Sequence, residues 1–206
     1  RGKHNSQPPS LTTDLFAREA RASDVSAATP TLRLSVSVVN GNLKFINQPL
    51  LLGHYISTRL SGTEAVVNAL IGDAMGEALG AGLYPSIPGT HQVFVNTRID
   101  PERPLALPQP AAAVVVGLGE EGRLRPNDLS DTVRQGVMAY AQRASEQPGG
   151  GATGFELAAT LVGSGGMGVH VGSAAQAIAQ GVADANQRLR RSGWPLVSRL
   201  LVVELY

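Results

Sequence analysis

Apolar and polar residues alternate over the first patterned stretch of the chain. Leu32, Leu34, Val36 and Val38 are separated by single polar residues, which is typical of a half-buried β-strand. The dipeptide Asn40-Gly41 follows and favours a hairpin turn, because both central residues of such a turn need a positive φ. Alternation resumes at Leu43 and Phe45. This pattern predicts a strand that leads into a β-hairpin.

Five later stretches are short and apolar, and Gly, Pro or polar residues bound them, which predicts buried strands. They are residues 50–52, 91–96, 111–116, 155–162 and 197–205. The β-branched run in 111–116 indicates burial on both faces, as in parallel sheets.

Three stretches carry apolar residues at helical spacing behind a start signal. Residues 61–64 and 173–176 fit capping boxes, and Pro126 suits the first turn of the remaining helix. The apolar stripes are Val66, Leu70, Ala74 and Ala78; Leu129, Val133, Val137 and Tyr140; and Ile178, Val182, Ala185 and Leu189. Gly72 and Gly76 weaken the first stripe, so we expect two short helices there. Strands alternating with helices predict an α/β layered fold with a mixed, mostly parallel sheet.

Residues 1–31 are rich in Pro, Ser, Ala and Thr, and their few apolar residues bury too little to offset the entropy of ordering. We predict a flexible tail or linker over 1–31, with a short helix at 11–20, and an α/β domain over 32–206. The chain begins without Met and stops directly after an apolar run. We interpret it as a piece of a longer polypeptide; cleavage or cloning artefacts at both ends are the alternative.

The amino-acid composition excludes several kinds of site and of partner. The 206 residues include no cysteine and carry a formal net charge of +1. The lack of cysteine excludes disulfides, cysteine nucleophiles and thiolate metal sites, and it fits a reducing, cytoplasmic compartment. The balanced charge gives no basis for nucleic-acid binding, and no apolar run reaches the roughly 18 residues of a membrane span. We therefore expect neither nucleic acid nor membrane as a partner.

Two segments with G-x-G-x-x-G spacing follow predicted strands, at residues 117–122 and 163–168. Glycines let backbone N–H groups approach an anion, and a following helix adds donors and the positive end of its dipole. The first segment places Glu120 and Glu121 where a phosphate would lie, so we interpret it as a turn. The second contains no acidic residue and leads within five residues to the capping box at Ser173.

The second segment, facing the strand end at 53–55, predicts a pocket for a small anion or a nucleotide. The candidate ligand-binding residues are Gly163, Ser164, Gly165, Gly166, Met167, Gly168, His170, Ser173, Gly53, His54 and Tyr55. A tight strand-to-helix connection that binds nothing is the alternative, and both interpretations stay open.

The four histidines show no metal-ligand spacing, and neither a G-x-S-x-G elbow nor a Walker sequence occurs. His54 and His170 each lie near a glycine at a strand or loop end, where ligand contacts cluster in α/β sheets; a structural role is the alternative. The arginines at 188–191 are interpreted as complementing a helix dipole. We assign no catalytic residue, no metal and no cofactor.

Short motifs resemble known families. Residues 113–120 and 124–129 resemble the strand–GLG–helix segment in the non-catalytic N-terminal domain of leucyl aminopeptidases, which has a macro-like fold, and 68–89 is similar to its preceding helix. Residues 163–168 with 174–178 resemble the phosphate-binding loop and helix of ADP-ribose-binding macro domains.

A further resemblance runs through the whole of residues 32–206. G-H-Y at 53–55, G-L-Y-P at 82–85, V-G-L-G-E at 116–120 and V-E-L-Y at 203–206 occur in one order. In that order they resemble a region beside CHAT domains, which are caspase-like peptidase domains, in large bacterial proteins.

The resemblance implies a macro-like three-layer sandwich that serves as a non-catalytic sensor or scaffold domain of a larger bacterial, CHAT-protease-linked protein. Its partners would be the other domains of that protein and a nucleotide or phosphate ligand. The aminopeptidase catalytic half, the macro-domain N-A-A-N loop and the CHAT cysteine have no counterpart here. Two alternatives stay open: a ligand-free protein-interaction module, and an ADP-ribose-processing or nicotinamide-dependent enzyme that relies on His54 or His170.

Overall fold

The computed structural model describes residues 33–60, 62–98, 100–146, 154–165 and 168–204. The predicted tail over 1–31 and its helix at 11–20 lie outside the described residues. Ser61 of the first predicted capping box, and Gly166 and Met167 of the predicted pocket, lie outside them as well.

Six strands and four α-helices are present in this part of the chain. The strands are β1 (Ser35–Asn40), β2 (Leu50–Tyr55), β3 (His91–Val95), β4 (Ala112–Gly119), β5 (Phe155–Thr160) and β6 (Val197–Glu204). The helices are α1 (Thr63–Leu70), α2 (Ala74–Gly80), α3 (Pro126–Ser145) and α4 (Val171–Ser192). The strands form one sheet in the order β1-β6-β5-β2-β4-β3, and every neighbouring pair is parallel except β3 with β4. The predicted α/β fold with a mixed, mostly parallel sheet is confirmed.

Helices cover both faces of the sheet, so the fold has three layers. Successive strand residues point to opposite faces. Leu51 of β2 therefore packs under α3 and α4, whereas Leu50 and Leu52 pack with Val67 of α1 and Met75 of α2. All eight residues of β4 are buried, as the apolar run predicts.

The two long helices form where the apolar stripes predict them. Pro126 occupies the first turn of α3, and Leu129, Val133 and Val137 behind it are fully buried. Helix α4 packs closely along α3, because Gly181 has no side chain: a Cβ there would lie 2.5 Å from a carbonyl oxygen of α3.

The predicted hairpin after β1 is wrong. Strand β1 pairs in parallel with β6, and the chain after it forms a 3-10 turn at Leu43–Phe45. Asn42 caps this turn by accepting a hydrogen bond from the Lys44 N–H. Leu43 is buried while Phe45 is 80% exposed, so the short alternation reflects one turn and not a second strand.

Both helices with a predicted capping box, α1 and α4, begin with an N-cap residue other than the predicted one. Helix α1 follows Gly62, which makes no side-chain cap, and Glu64 in its first turn is buried in a tertiary contact. Helix α4 already begins at Val171, and His170 is its N-cap residue, so Ser173 lies inside the first turn. The N-cap of α1 lies one residue after the predicted position, and the N-cap of α4 lies three residues before it.

Strands β2 and β5 are paired through only two residue pairs, Leu50 with Ala158 and Leu51 with Ala159. Beyond them β2 stays paired with β4 and β5 stays paired with β6. The chain leaves β2 towards β3 and β4 but leaves β5 towards β6, so the connections diverge here. Ligands in open α/β sheets bind at such switch points, outside the carboxyl ends of the strands.

Candidate functional site

A cavity of about 750 Å³ opens where β2 and β5 diverge, and we call it the strand-end cavity. Small-molecule sites usually measure about 300–1,000 Å³, so it can hold a ligand of nucleotide size. Its walls are the carboxyl ends of four strands, the segments after them and the first turn of α1. The lining residues are Leu52, Gly53, His54, Tyr55, Ile56, Ser57, Arg59, Thr63, Glu64, Leu118, Glu121, Thr160, Leu161, Val162, Gly163, Ser164, Gly165, Val203 and Glu204.

Gly53 allows the strand ends to approach one another. A Cβ at this position would overlap the side chains of Val162 and Leu118. The glycine is therefore required by packing at the base of the cavity, and this packing needs no ligand.

The glycine segment after β5 uses part of its backbone internally. The Ser164 N–H donates to the Leu161 carbonyl (3.1 Å), and the Gly168 N–H donates to the Gly165 carbonyl (3.0 Å). The Gly163 carbonyl accepts from the Val169 N–H (2.7 Å) and from the Tyr55 hydroxyl (3.1 Å). The segment is thus held in a compact turn against the end of β2.

Two amides of the segment have no partner among the described residues, those of Gly163 and Gly165. Gly165 is exposed, and a Cβ built on it meets nothing within 4 Å. Gly163 is buried, so Gly165 is the more accessible of the two, and the set of donors open to an anion is smaller than the glycine motif alone suggests.

A buried cluster of three polar side chains lies beside the cavity. The His54 Nδ1 is 2.9 Å from Glu64 Oε1 and 3.1 Å from Oε2. The Tyr84 hydroxyl donates to the same Oε1 at 2.9 Å, and its ring meets the imidazole edge-on with centroids 4.7 Å apart. We call these residues the His54–Glu64–Tyr84 cluster.

Three different elements assemble this cluster. Strand alternation puts His54 on the sheet face of Leu50 and Leu52, under α1 and α2. The first turn of α1 supplies Glu64, and the segment between α2 and β3 supplies Tyr84. Burial raises the pKa of Tyr84 far above its usual value, and the charge and hydrogen bond of Glu64 raise it further.

The cavity wall carries more negative than positive side chains. Glu121 and Glu204 line it together with Glu64, and Arg59 is the only arginine or lysine among the lining residues. Burial raises the pKa of Tyr55, and the nearby Glu121 carboxylate raises it further. Glu121 therefore lies close enough to the glycine segment to affect any anion placed there.

No protein-family model matches the sequence, and no curated protein matches it significantly. Solved structures do resemble the fold. The macrodomain of Mycobacterium tuberculosis DarG superposes with a TM-score of 0.54 at 13% identity, covering 82% of this chain and 98% of that chain. The fold is macrodomain-like. A Trypanosoma brucei macrodomain in complex with ADP gives 0.55 at 11%, covering 82% and 63%. Thermosipho africanus DarTG in complex with ADP-ribose gives 0.53 at 12%, covering 84% and 42%.

The macro-like domain brings only part of the predicted pocket together. Gly53, His54 and Tyr55 share the strand-end cavity with Gly163, Ser164 and Gly165. The first three residues end β2 and the other three follow β5, and these two strands are distant in the sequence but neighbours in the sheet.

Other predicted residues lie elsewhere in the macro-like domain. His170 is exposed and accepts a hydrogen bond from the Gly172 N–H (3.2 Å), which caps α4. Ser173 lines a different hollow, between α3 and α4. Gly168 closes the glycine turn, where the Gly163 carbonyl and the Tyr55 hydroxyl leave no room for a Cβ.

The charged cavity residues that the sequence did not assign to the pocket are Arg59, Glu64, Glu121 and Glu204. Only Glu64 could have been anticipated from the sequence. The alternation in β2 predicts that His54 is buried, and a buried histidine needs a polar partner. Within the described residues there is no group of three or more His, Asp or Glu that could hold a metal ion. No helix in the same part of the chain is long and apolar enough to span a membrane.

Proposed function

We propose that the macro-like domain binds a nucleotide of the ADP-ribose class in the strand-end cavity and acts as a non-catalytic sensor or scaffold domain of a larger protein. The main support is the placement of the two free amides of Gly163 and Gly165 in a nucleotide-sized cavity at the switch point of the sheet. Neighbours of the same fold, in complex with ADP and with ADP-ribose, give further support.

The charge distribution assigns the parts of such a ligand to different walls. Phosphate oxygens would accept from the amides of Gly163 and Gly165, and Arg59 would contribute positive charge. Ribose hydroxyls would donate to the carboxylate of Glu204, which also lines the cavity. A ligand with both phosphates and hydroxyls therefore matches the wall better than a bare anion does.

Calorimetric titration with ADP-ribose, ADP and inorganic phosphate tests the proposal. We expect ADP-ribose to bind, and Gly165→Asp to weaken its binding at least tenfold, because the new carboxylate would lie beside the phosphate site. Gly165→Ala is the steric control, since its Cβ would enter open space. Gly80→Asp, at the end of α2 and with open space around it, is the charge control.

A lack of binding by all three compounds would contradict the proposal and favour the ligand-free interaction module. That alternative predicts a stable dimer or a complex with another domain in size-exclusion chromatography.

The ADP-ribose-processing alternative has one observation in its favour, the histidine of the His54–Glu64–Tyr84 cluster at the cavity wall. Turnover of an ADP-ribosylated protein or of ADP-ribose derivatives would then be lost in His54→Ala. His170→Ala would keep full activity, because His170 lies outside the cavity. No described residue specifically favours nicotinamide-dependent chemistry.

The sequence resemblance adds a context to this proposal: a position beside a CHAT protease domain in a bacterial, cytoplasmic protein. These parts stay predictions. Co-purification of this domain with a CHAT domain encoded in the same polypeptide or the same cell would test them.

A further inference from the structure

His54 carries a buried polar atom without a partner. The residue is 1% exposed, and its Nε2 makes no hydrogen bond in the structure. Leaving such an atom unsatisfied is unfavourable, and buried polar groups in proteins nearly always have a partner. His54 is also one of the residues that line the strand-end cavity. A partner for Nε2 is therefore expected from something that enters this cavity.

The His54–Glu64–Tyr84 cluster determines what kind of partner fits. An ionised carboxylate has only acceptors, so the imidazole Nδ1 carries the hydrogen that it shares with Glu64. In the neutral ring Nε2 is then a lone pair, which accepts hydrogen bonds. Tyr84 holds Glu64 from the other side, so the ring orientation and its tautomer are both held in place.

This end of the cavity is consequently rich in acceptors. His54 and Glu64 both border the cavity at the wall formed by β2 and α1, and together they offer the Nε2 lone pair and a carboxylate. A phosphate oxygen is an acceptor too and would be repelled there. A hydroxyl can donate to either group.

We propose that the His54 Nε2 accepts a hydrogen bond from a sugar hydroxyl of the bound ligand. The sugar then lies at the β2–α1 wall, and the phosphate lies at Gly163 and Gly165 on the opposite wall. This inference rests on the proposed nucleotide-binding function, and it adds a residue that determines ligand orientation and selects hydroxyl-bearing ligands over plain phosphates.

Ligand entry has to uncover Nε2, which is enclosed in the ligand-free structure. The segment between β2 and α1 borders the cavity through Ile56, Ser57 and Arg59, and all three are exposed. The Ser57 side chain is bonded only to its near neighbour Arg59. The Ile56 N–H donates to the Gly119 carbonyl of β4 (2.8 Å), so the segment is anchored at its start and a shift has to occur beyond Ile56.

The test uses His54→Asn in the calorimetric titration with ADP-ribose. The asparagine amide can still donate to Glu64, but it places no acceptor at the Nε2 position. We expect binding to weaken about tenfold, as for the loss of one buried hydrogen bond, and the melting temperature to fall because the buried ring also packs against Tyr84. His91→Asn is the matched control, because His91 is exposed on β3 and lies outside the cavity.

A second measurement needs no variant. In the wild-type chain labelled with ¹⁵N-histidine, the His54 Nε2 should show the resonance of an unprotonated ring nitrogen, and this resonance should shift when ADP-ribose saturates the site. Inorganic phosphate should leave it unchanged.

The outcomes separate this inference from the function on which it rests. If the wild-type chain does not bind ADP-ribose, the proposed function and the inference both fail. If it binds but His54→Asn binds equally well, or the Nε2 resonance stays unchanged on saturation, the inference alone is overturned.

Discussion

Glu64 accepts hydrogen bonds from two side chains although it lies in the first turn of a short helix. The residue is 7% exposed, and such burial is costly for an isolated charge. The two donors, His54 and Tyr84, offset this cost because hydrogen bonds to a charged acceptor are stronger than neutral ones. The same contacts tie the end of β2, the start of α1 and the segment before β3 together.

Tyr84→Phe should reduce the fall in the free energy of unfolding between neutral and alkaline pH. The pKa of Tyr84 is raised in the folded state, whereas an unfolded tyrosine ionises near 10.0. Above that pH the unfolded wild-type chain loses a proton that the folded chain keeps, so wild-type stability falls. Urea denaturation from about pH 8 to about pH 11 should show a smaller fall for Tyr84→Phe, because Tyr84 no longer contributes.

Tyr84→Phe should also be less stable than the wild type at neutral pH, by about 1–2 kcal/mol, since Glu64 loses one donor. Parallel pH profiles for the two proteins would contradict the assignment of Tyr84 as a buried partner of Glu64.

Glu121→Gln should strengthen the binding of a phosphate-bearing ligand. The Glu121 carboxylate influences Tyr55, whose hydroxyl contacts the glycine segment, so its charge opposes an anion there. We expect a severalfold lower Kd for ADP-ribose, with the largest gain at low ionic strength, where screening is weakest. An exposed carboxylate outside the cavity, changed in Glu77→Gln, is the control. Equal or weaker binding by Glu121→Gln would place the phosphate away from this loop.

At the scale of elements, the contact between α3 and α4 depends on the missing side chain of Gly181. A Cβ there would lie 2.5 Å from the Ser130 carbonyl oxygen and 2.9 Å from the Val133 Cβ. Gly181→Ala should therefore destabilise the domain by about 1–3 kcal/mol, as overpacking does. Gly80→Ala, in open space at the end of α2, should instead be neutral or stabilising by up to about 1 kcal/mol. Chemical denaturation of both variants checks the opposite signs.

The elements with long, regular patterns could be predicted from the sequence, because burial on one or two faces sets their periodicity. The runs that became β4, α3 and α4 are examples, and so is the break between α1 and α2, where Gly72 has a φ of +83°. The 3-10 turn at Leu43–Phe45 could not be told from a strand, since three residues are too few to distinguish the two periods.

The site could be predicted only where strand ends carry it. Carboxyl ends of neighbouring parallel strands meet at one sheet edge, so residues 53–55 and 163–165 share a cavity. The His54–Glu64–Tyr84 cluster depends instead on how α1 and the segment before β3 dock on the sheet. No local sequence pattern encodes that docking. The local spacing of residues 61–64 instead favours a capping box with Glu64 as its acidic residue.

At the scale of the whole molecule, the protection of backbone amides against hydrogen exchange should decrease from the centre of the sheet to its edges. All eight residues of β4 are buried and the strand is paired on both sides. Among the described strands β1 pairs only with β6, and Val36 and Val38 are 51% and 70% exposed. Amide hydrogen exchange should therefore be slowest in β4 and much faster in β1. Similar protection in the two strands would contradict this gradient.

The two-pair contact between β2 and β5 divides the sheet into a half with β1, β6 and β5 and a half with β2, β4 and β3. Within the sheet, few backbone hydrogen bonds hold these halves together. A ligand that contacts Tyr55 at the end of β2 and Gly165 after β5 would link the two halves of the sheet. A bound ligand would then reduce the relative motion of the two halves. Surfaces far from the cavity on either half would differ in mobility between the bound and the free domain.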